Sequence, residues 1–167
     1  MNLLVTGGSG LVGSAITADF KPDRDELDLM ELDAIIDYIE EHEITHIIHC
    51  AARVGGIKAN MEHLGEFFYE NIIMNSNVLE ASRRCGVEKV VSFMSTCVFP
   101  DDATYPLSPD QIHNGEPHSS NYAYAYAKRM LEVQSRAYRE QHGSNFVTVI
   151  PCNIYGPNDD FDLDSSH

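Results

Sequence analysis

The chain has 167 residues, enough for one domain with a sizeable apolar core but too few for two domains of ordinary size. Apolar residues make up 43% of the sequence and charged residues 22%, proportions that argue against disordered, collagen-like and coiled-coil chains. The 26 acidic and 11 basic residues give a formal net charge of -15, which repels a phosphate backbone, so we expect no nucleic-acid partner.

Four short apolar segments along the chain are typical of buried β-strands. They are residues 2–6, 45–52, 89–95 and 146–150. Apolar periodicity and composition predict helices between them. These helices span residues 11–20, a segment from Asp28 or Asp33 to Glu43, and residues 61–85 and 121–142. Gly86 and Gly143 are the expected ends of the last two helices.

Two further segments are predicted to be loops. Residues 52–60 contain two adjacent glycines, and residues 96–120 are rich in proline and show no periodicity. Strands separated by single helices imply right-handed crossovers, so we predict a doubly wound, Rossmann-like α/β domain with a parallel sheet. Ligands of such sheets bind beyond the carboxyl ends of the strands.

A glycine-rich turn, GxxGxxG, lies between the first predicted strand and the first helix. Small residues there let the backbone approach a pyrophosphate, and free N–H groups at the helix start point at it. The candidate phosphate-binding residues are Gly7, Gly8, Ser9, Gly10, Leu11, Val12 and Gly13. The alternative is that these glycines only form a tight turn.

The acidic residue that holds the ribose in NAD proteins normally ends the second strand, and that strand is hard to find here. Only the residues KPDR separate Phe20 from Asp25. Among them Arg24 offers a guanidinium to a 2'-phosphate, a charge-assisted pair of roughly 1.5 to 3 kcal/mol, enough to favour NADP over NAD. A solvated surface arginine is the alternative interpretation of Arg24.

Tyr124 and Lys128 lie four residues apart on a predicted helix and therefore share one face. Ser95 ends the preceding strand at the sheet edge where the glycine turn opens, so the three side chains are expected to converge on one nicotinamide. An ammonium near the ring favours the phenolate, which lowers the phenol pKa toward neutrality, and Ser95 would polarise a carbonyl. Tyr122 and Tyr126 are interpreted as packing residues.

The remaining sulfur and histidine side chains indicate no metal site and no secreted protein. The four cysteines, Cys50, Cys85, Cys97 and Cys152, lie far apart without a CxxC pair, and the N-terminal residues lack the features of a signal peptide. We therefore expect a cytoplasmic protein. No segment approaches the roughly 20 apolar residues of a membrane span. The histidines lack metal-ligand spacing, so no metal is expected.

Seven segments resemble the extended short-chain dehydrogenase/reductase family. They are VTGGSGLVGSAI, RDELDL, AARVGGI, MSTCVFP, YAYAK, PCNIYGP and SSH, spread over nearly the whole chain. AARVGGI and STCVFP narrow the resemblance to the branch that acts on GDP-4-keto-6-deoxymannose. The resemblance implies a GDP-sugar substrate, epimerisation at C3 and C5, reduction of the 4-keto group by NADPH, and a homodimer formed through helices 61–85 and 121–142.

The same resemblance implies roles for individual residues. It adds Cys97 and His167, as the acid and base of epimerisation, to the catalytic set of Ser95, Tyr124 and Lys128. It also implies cofactor contacts from Arg24, Asp25, Leu29, Lys128, Asn153 and Ile154.

In this interpretation residues 1–167 are an NADP-binding domain without the C-terminal substrate domain of the family, and the isolated chain is expected to have little turnover. The family pattern usually has threonine where this chain has Cys152. Two alternatives stay open. One is another nucleotide-sugar epimerase or dehydratase of the same family, with a tightly held oxidised cofactor. The other is a non-catalytic NADP-binding or assembly module.

Overall fold

The computed structural model describes residues 1–157 and 159. In this part of the chain the strands are β1 (Leu3–Thr6), β2 (His46–His49), β3 (Lys89–Phe93) and β4 (Phe146–Val149). The α-helices are α1 (Leu11–Ala15), α2 (Leu32–Glu41), α3 (Ile57–Glu62), α4 (Leu64–Arg84) and α5 (Tyr122–His142). Two short 3-10 turns, Thr96–Val98 and Pro109–Gln111, lie between β3 and α5.

The strands form one parallel sheet in the order β1, β2, β3, β4. Its register aligns the apolar side chains of Leu4, Ile47, Val90 and Phe146, all of them buried. Parallel strands in register end at one common edge, so the residues that follow them are brought together there. The predicted Rossmann-like α/β fold is confirmed.

Phe20 pairs with β1 on the edge opposite β2. It forms a single parallel bridge with Leu4, through Val5 N–H to Phe20 O at 2.9 Å and Phe20 N–H to Leu3 O at 3.1 Å. The chain therefore leaves β1 toward one side of the sheet, while the other strands extend the sheet on the other side. Such a reversal is the place where open α/β sheets bind ligands.

A layer of three helices covers one face of the sheet. The helix α4 packs against both α2 and α5, and the core beneath this layer contains the fully buried side chains of Ile35, Val78, Leu79 and Leu131. Gly86 and Gly143 end α4 and α5 in the left-handed conformation, with φ of 68° and 70°. The predicted helix ends are confirmed, because these positions need φ values that other residues rarely adopt.

Four predicted boundaries are wrong. The helix predicted over 11–20 ends at Ala15, because Ile16 is extended and the chain must then reach Phe20 for pairing with β1. The predicted loop 52–60 contains the start of α3, and α4 begins at Leu64 rather than at 61. Neither Asp28 nor Asp33 is the N-cap of α2, because Glu31 holds that position.

The described part of the chain has no helix that combines the length and apolarity needed to cross a bilayer. In the same residues, no group of three or more histidine, cysteine or acidic side chains is placed to hold a metal ion. The four cysteines are free thiols.

Candidate functional site

A cavity of about 800 Å³ opens beyond the carboxyl ends of β1 and β2. Its walls come from the glycine turn, the segment after Phe20, the residues that follow β2, and one side of α4. The volume lies in the range of small-molecule sites, and the position is the switch point of the sheet. The cavity is therefore the candidate ligand site of the chain.

The glycine turn forms the floor of this cavity. Gly7 has φ of +70°, and a Cβ there would lie 2.7 Å from the backbone of Ala51. A Cβ on Gly13 would lie 2.2 Å from Gly7 O, so both positions need glycine for the chain itself to pack. Gly10 is different: it lines the cavity, and a Cβ there would meet only Gly7 O, at 3.5 Å. Its missing side chain leaves room for a ligand.

The backbone at this turn fits a pyrophosphate. Gly10 N–H donates to Gly7 O at 3.1 Å, which closes the turn immediately before α1 begins at Leu11. Leu11, Val12 and Gly13 line the cavity together with Ser9, so the first helical residues lie where phosphate oxygens would approach. The predicted phosphate-binding residue Gly8 is not part of the lining, because it faces the Lys21 side chain.

The segment after Phe20 forms a second wall of the cavity. Arg24 and Leu29, two of the predicted cofactor contacts, line the cavity, while Asp25, a third, does not. Asp23 does so instead, and its carboxylate accepts the N–H groups of Asp25 and Glu26 at 2.9 and 3.0 Å. This turn directs the chain so that Asp25 is exposed, which local sequence does not reveal.

A half-buried amide on α4 supports this wall. The Asn77 side chain donates to Leu29 O at 3.1 Å and to Met30 O at 2.9 Å. Sequence reasoning missed Met30, Met74, Arg53 and Glu70, all of which line the cavity. Arg53 and Glu70 form an ion pair across it. Glu70 and Met74 lie four residues apart on one helix, and this spacing is the signal that predicts a shared face.

Ser95, Cys97, Tyr124 and Lys128 lie close together, but none of them lines the cavity. Lys128 Nζ donates to Phe93 O at 3.0 Å and lies 6.0 Å from the centre of the Tyr124 ring. Cys97 N–H donates to Ser95 Oγ at 3.5 Å. The Tyr124 ring lies edge-on to Phe67, with ring centres 6.5 Å apart.

Asn153 and Ile154 do not line the cavity either. Asn153 lies beside the turn that carries Cys97, where Thr96 Oγ1 donates to Asn153 Oδ1 at 3.4 Å. His167 lies outside the described residues.

Burial controls the protonation of Tyr124, Lys128 and Cys97. It raises the pKa of Tyr124 well above that of an ordinary phenol, and a nearby Cys97 adds to the rise. The expectation that Lys128 lowers the phenol pKa stays a prediction, and in this structure desolvation of the phenolate is the main cause of the shift. Burial likewise lowers the pKa of Lys128 to about 8 and raises the pKa of Cys97. Tyrosine and thiol therefore hold their protons at neutral pH.

A buried hydrogen-bonded chain, which sequence reasoning missed, connects the sheet edge with α5. Asn75 Nδ2 donates to Ala127 O at 3.2 Å, so its Oδ1 faces His49 and accepts from Nε2 at 3.0 Å. The other ring nitrogen, Nδ1, is then free to accept from Thr6 Oγ1 at 2.7 Å. This series of hydrogen bonds links β1, β2, α4 and α5 next to Lys128. Its signal in the sequence is one polar residue, His49, two positions after the buried Ile47.

His49 should make the fold sensitive to acid. Burial, assisted by the Lys128 charge, lowers the pKa of His49 from 6.5 to about 3. Between these values the unfolded chain binds a proton that the folded chain does not, so stability falls as pH falls, by about 1.4 kcal/mol per pH unit. Chemical denaturation at several pH values between about 6 and 4 measures the free energy of unfolding. This free energy should fall less steeply with falling pH in His49→Gln than in the wild type.

The matched control for this prediction is His118→Gln, which removes an exposed histidine. It should leave the pH dependence of the free energy of unfolding at the wild-type value. Equal slopes for His49→Gln and the wild type would show that the buried imidazole does not determine the acid response.

Comparison with known proteins gives consistent matches along the chain. The profile of the NAD dependent epimerase/dehydratase family matches residues 3–167. A GDP-L-fucose synthase of Dictyostelium discoideum is 48% identical over 176 residues, covering 99% of this chain and 55% of that protein. A probable GDP-L-fucose synthase of Drosophila melanogaster is 43% identical over 176 residues, covering 99% of this chain and 55% of that protein.

Among solved structures, a GDP-L-fucose synthetase from Naegleria fowleri bound to NADP matches with a TM-score of 0.90 and 40% identity. The match covers 99% of this chain and 54% of that one. The chain thus spans about half the length of the curated relatives it matches.

Proposed function

The chain belongs to the NAD dependent epimerase/dehydratase family, and we propose that it is the cofactor-binding half of an NADPH-dependent enzyme that converts GDP-4-keto-6-deoxymannose to GDP-L-fucose. The observation that carries this proposal is the cavity above the glycine turn, where Gly10 leaves room that the fold itself does not require. Similarity to two GDP-L-fucose synthases over nearly the whole chain supports the substrate class.

NADP is the proposed cofactor, and the residues present fit it. Gly7, Gly10 and Gly13 would hold the pyrophosphate, and Arg24 at the cavity wall supplies a cation for the 2'-phosphate. Leu29 supplies apolar surface for the adenine, and its carbonyl is fixed by Asn77. When bound, NADPH supplies the hydride that reduces the C4 ketone.

Tyr124 is the proposed proton donor to the C4 oxygen during this reduction. The raised pKa of Tyr124 suits that direction, because the phenol enters the reaction protonated. Lys128 is held by Phe93 O under the ring and stabilises the phenolate that donation leaves. Ser95 would hydrogen-bond the substrate carbonyl.

Cys97 and His167 are the proposed pair for epimerisation, which removes a proton next to the ketone on one face and returns one on the other. Burial keeps the Cys97 thiol protonated, and this state suits the acid rather than the base. The base is then His167, which lies outside the described residues.

Residues 1–167 are proposed to act as the NADP-binding domain of a longer parent protein in the cytoplasm. The chain alone should bind NADPH and turn over little substrate, because contacts with the GDP moiety position the reacting sugar. The test supplies the full-length parent with GDP-4-keto-6-deoxymannose and NADPH and follows nicotinamide absorbance. Absence of NADPH oxidation would overturn the proposal. Tightly bound NAD in the purified parent would favour another epimerase or dehydratase of the family.

Self-association through α4 and α5 is also proposed. Three aromatic side chains are exposed near the start of these helices: Phe68 (42%), Tyr69 (59%) and Tyr122 (44%). Phe68 and Tyr122 line one shallow pocket, so these two exposed side chains lie side by side, and contiguous exposed apolar side chains mark association surfaces.

Phe68→Glu is expected to convert a dimer into a monomer, because it introduces a charge into this surface. Sedimentation velocity measures the change directly. The control is Tyr105→Glu, which alters an aromatic side chain that is 81% exposed in the loop after β3. A wild-type protein that sediments as a monomer would contradict the dimer.

A further inference from the structure

Arg129 is a nearly fully buried cation on α5, directly after Lys128, with only 3% of its surface exposed. Its Nε donates to Val98 O at 2.7 Å and its Nη1 to Gly115 O at 2.8 Å. These two carbonyls lie near the beginning and the end of the irregular segment 96–120. One guanidinium therefore closes a long loop onto the helix that carries Tyr124.

The surroundings of Arg129 suit this bridging role better than ion pairing. Among the described residues its hydrogen bonds go to the two carbonyls, its Cζ lies 5.1 Å from the centre of the Tyr126 ring, its charge interacts with Cys97, and no carboxylate forms a salt bridge with it. Nη2 is buried there without a hydrogen-bond partner. A guanidinium stays charged and presents its donors in a rigid fork, whereas a lysine presents a single point charge.

Fixing the Val98 carbonyl fixes the turn that carries Cys97. Val98 N–H donates to Ser95 O at 3.1 Å, and Cys97 N–H donates to Ser95 Oγ, so these residues form one compact unit. Asp101 N–H donates to Glu116 O at 3.0 Å, which joins the two ends of the loop beside the guanidinium.

We propose that Arg129 is a positioning residue, whose fork between Val98 O and Gly115 O holds Cys97 beside Tyr124. The importance of Cys97 rests on the proposed function, but the fork itself does not. Cys97, the proposed acid of epimerisation, and Tyr124, the proposed acid of reduction, are thereby held at a fixed distance from each other, although they come from different elements.

The experiment compares Arg129→Met and Arg129→Lys with the wild type by alkylation with iodoacetamide, with each cysteine followed by mass spectrometry. Without the fork, local opening should raise the alkylation rate of Cys97 by about tenfold in both variants. The alkylation rate of Cys50 and the affinity for NADPH should be unchanged. The control is Arg139→Met, which removes a 2.7 Å bond from the same helix to Phe146 O and should leave Cys97 protected.

Three outcomes would overturn the proposal. One is an unchanged Cys97 rate in Arg129→Met. Another is equal acceleration at Cys50, which indicates general loosening. The third is a wild-type alkylation rate of Cys97 in Arg129→Lys, which would show that the positive charge alone is sufficient. Should Arg129→Met not fold, Arg129→Lys alone decides, because it keeps the charge and the aliphatic stem but not the fork.

The full-length parent separates this proposal from the proposed function. Arg129→Met should lower the incorporation of solvent deuterium at C3 and C5 of the substrate by at least about tenfold, with an unchanged KM for NADPH. A wild-type parent that incorporates no deuterium would overturn the epimerase function, and cysteine alkylation would still decide the role of Arg129.

Discussion

Tyr124→Phe is expected to reduce NADPH-dependent turnover by the full-length parent by about a thousandfold, within the range for loss of a general acid. The substitution removes only the hydroxyl, and phenylalanine keeps the edge-on contact with Phe67. Because Tyr124 does not line the cavity, the NADPH affinity of the 167-residue chain should stay at the wild-type value. Initial rates of NADPH oxidation and a fluorescence titration measure the two quantities separately.

Tyr122→Phe is the matched control, since it removes a hydroxyl from the same helix at a position that is 44% exposed. It should retain wild-type turnover. A Tyr124→Phe enzyme with more than about a tenth of the wild-type rate would remove Tyr124 from the reaction, because general acid–base groups contribute at least about a hundredfold.

Gly13→Ala and Gly10→Ala are expected to impair NADPH binding for different reasons. A Cβ at Gly13 would lie 2.2 Å from Gly7 O, so the turn must shift, and overpacking of this kind costs typically about 1 to 3 kcal/mol of stability. A Cβ at Gly10 meets the protein only at 3.5 Å, so folding should be preserved. It enters the cavity, however, and should weaken NADPH binding by about tenfold or more, as for a small misplacement of bound groups.

Denaturation curves and NADPH fluorescence titrations on the 167-residue chain distinguish the two effects. Gly65→Ala is the control, because a Cβ there has no neighbouring atom within 4 Å. It should leave NADPH affinity unchanged. Wild-type affinity in Gly10→Ala would mean that the turn serves only the fold, the alternative that the glycine pattern by itself leaves open.

The burial of Tyr124 bears on the chemical interpretation of the site. The YxxxK spacing predicts that the two side chains share a helical face, and Lys128 Nζ does lie 6.0 Å from the ring centre. Spacing says nothing about desolvation, which depends on packing by Phe67 and neighbouring elements. A phenol that holds its proton suits an acid in the direction of ketone reduction, whereas the expectation of a lowered pKa describes the reverse direction.

Local patterns were sufficient for the parallel sheet, the glycine turn at β1 and the left-handed ends of α4 and α5. The order of strands and helices that implies a parallel sheet, the glycine turn and the helix ends each depend on residues within a few positions of one another, where periodicity and backbone freedom decide the conformation. The end of α1 at Ala15, the chain from Thr6 through His49 and Asn75 to α5, and the fork of Arg129 required the tertiary structure. They depend on pairs of groups far apart in the sequence, whose burial and hydrogen-bond partners exist only once the sheet and its helices have packed together.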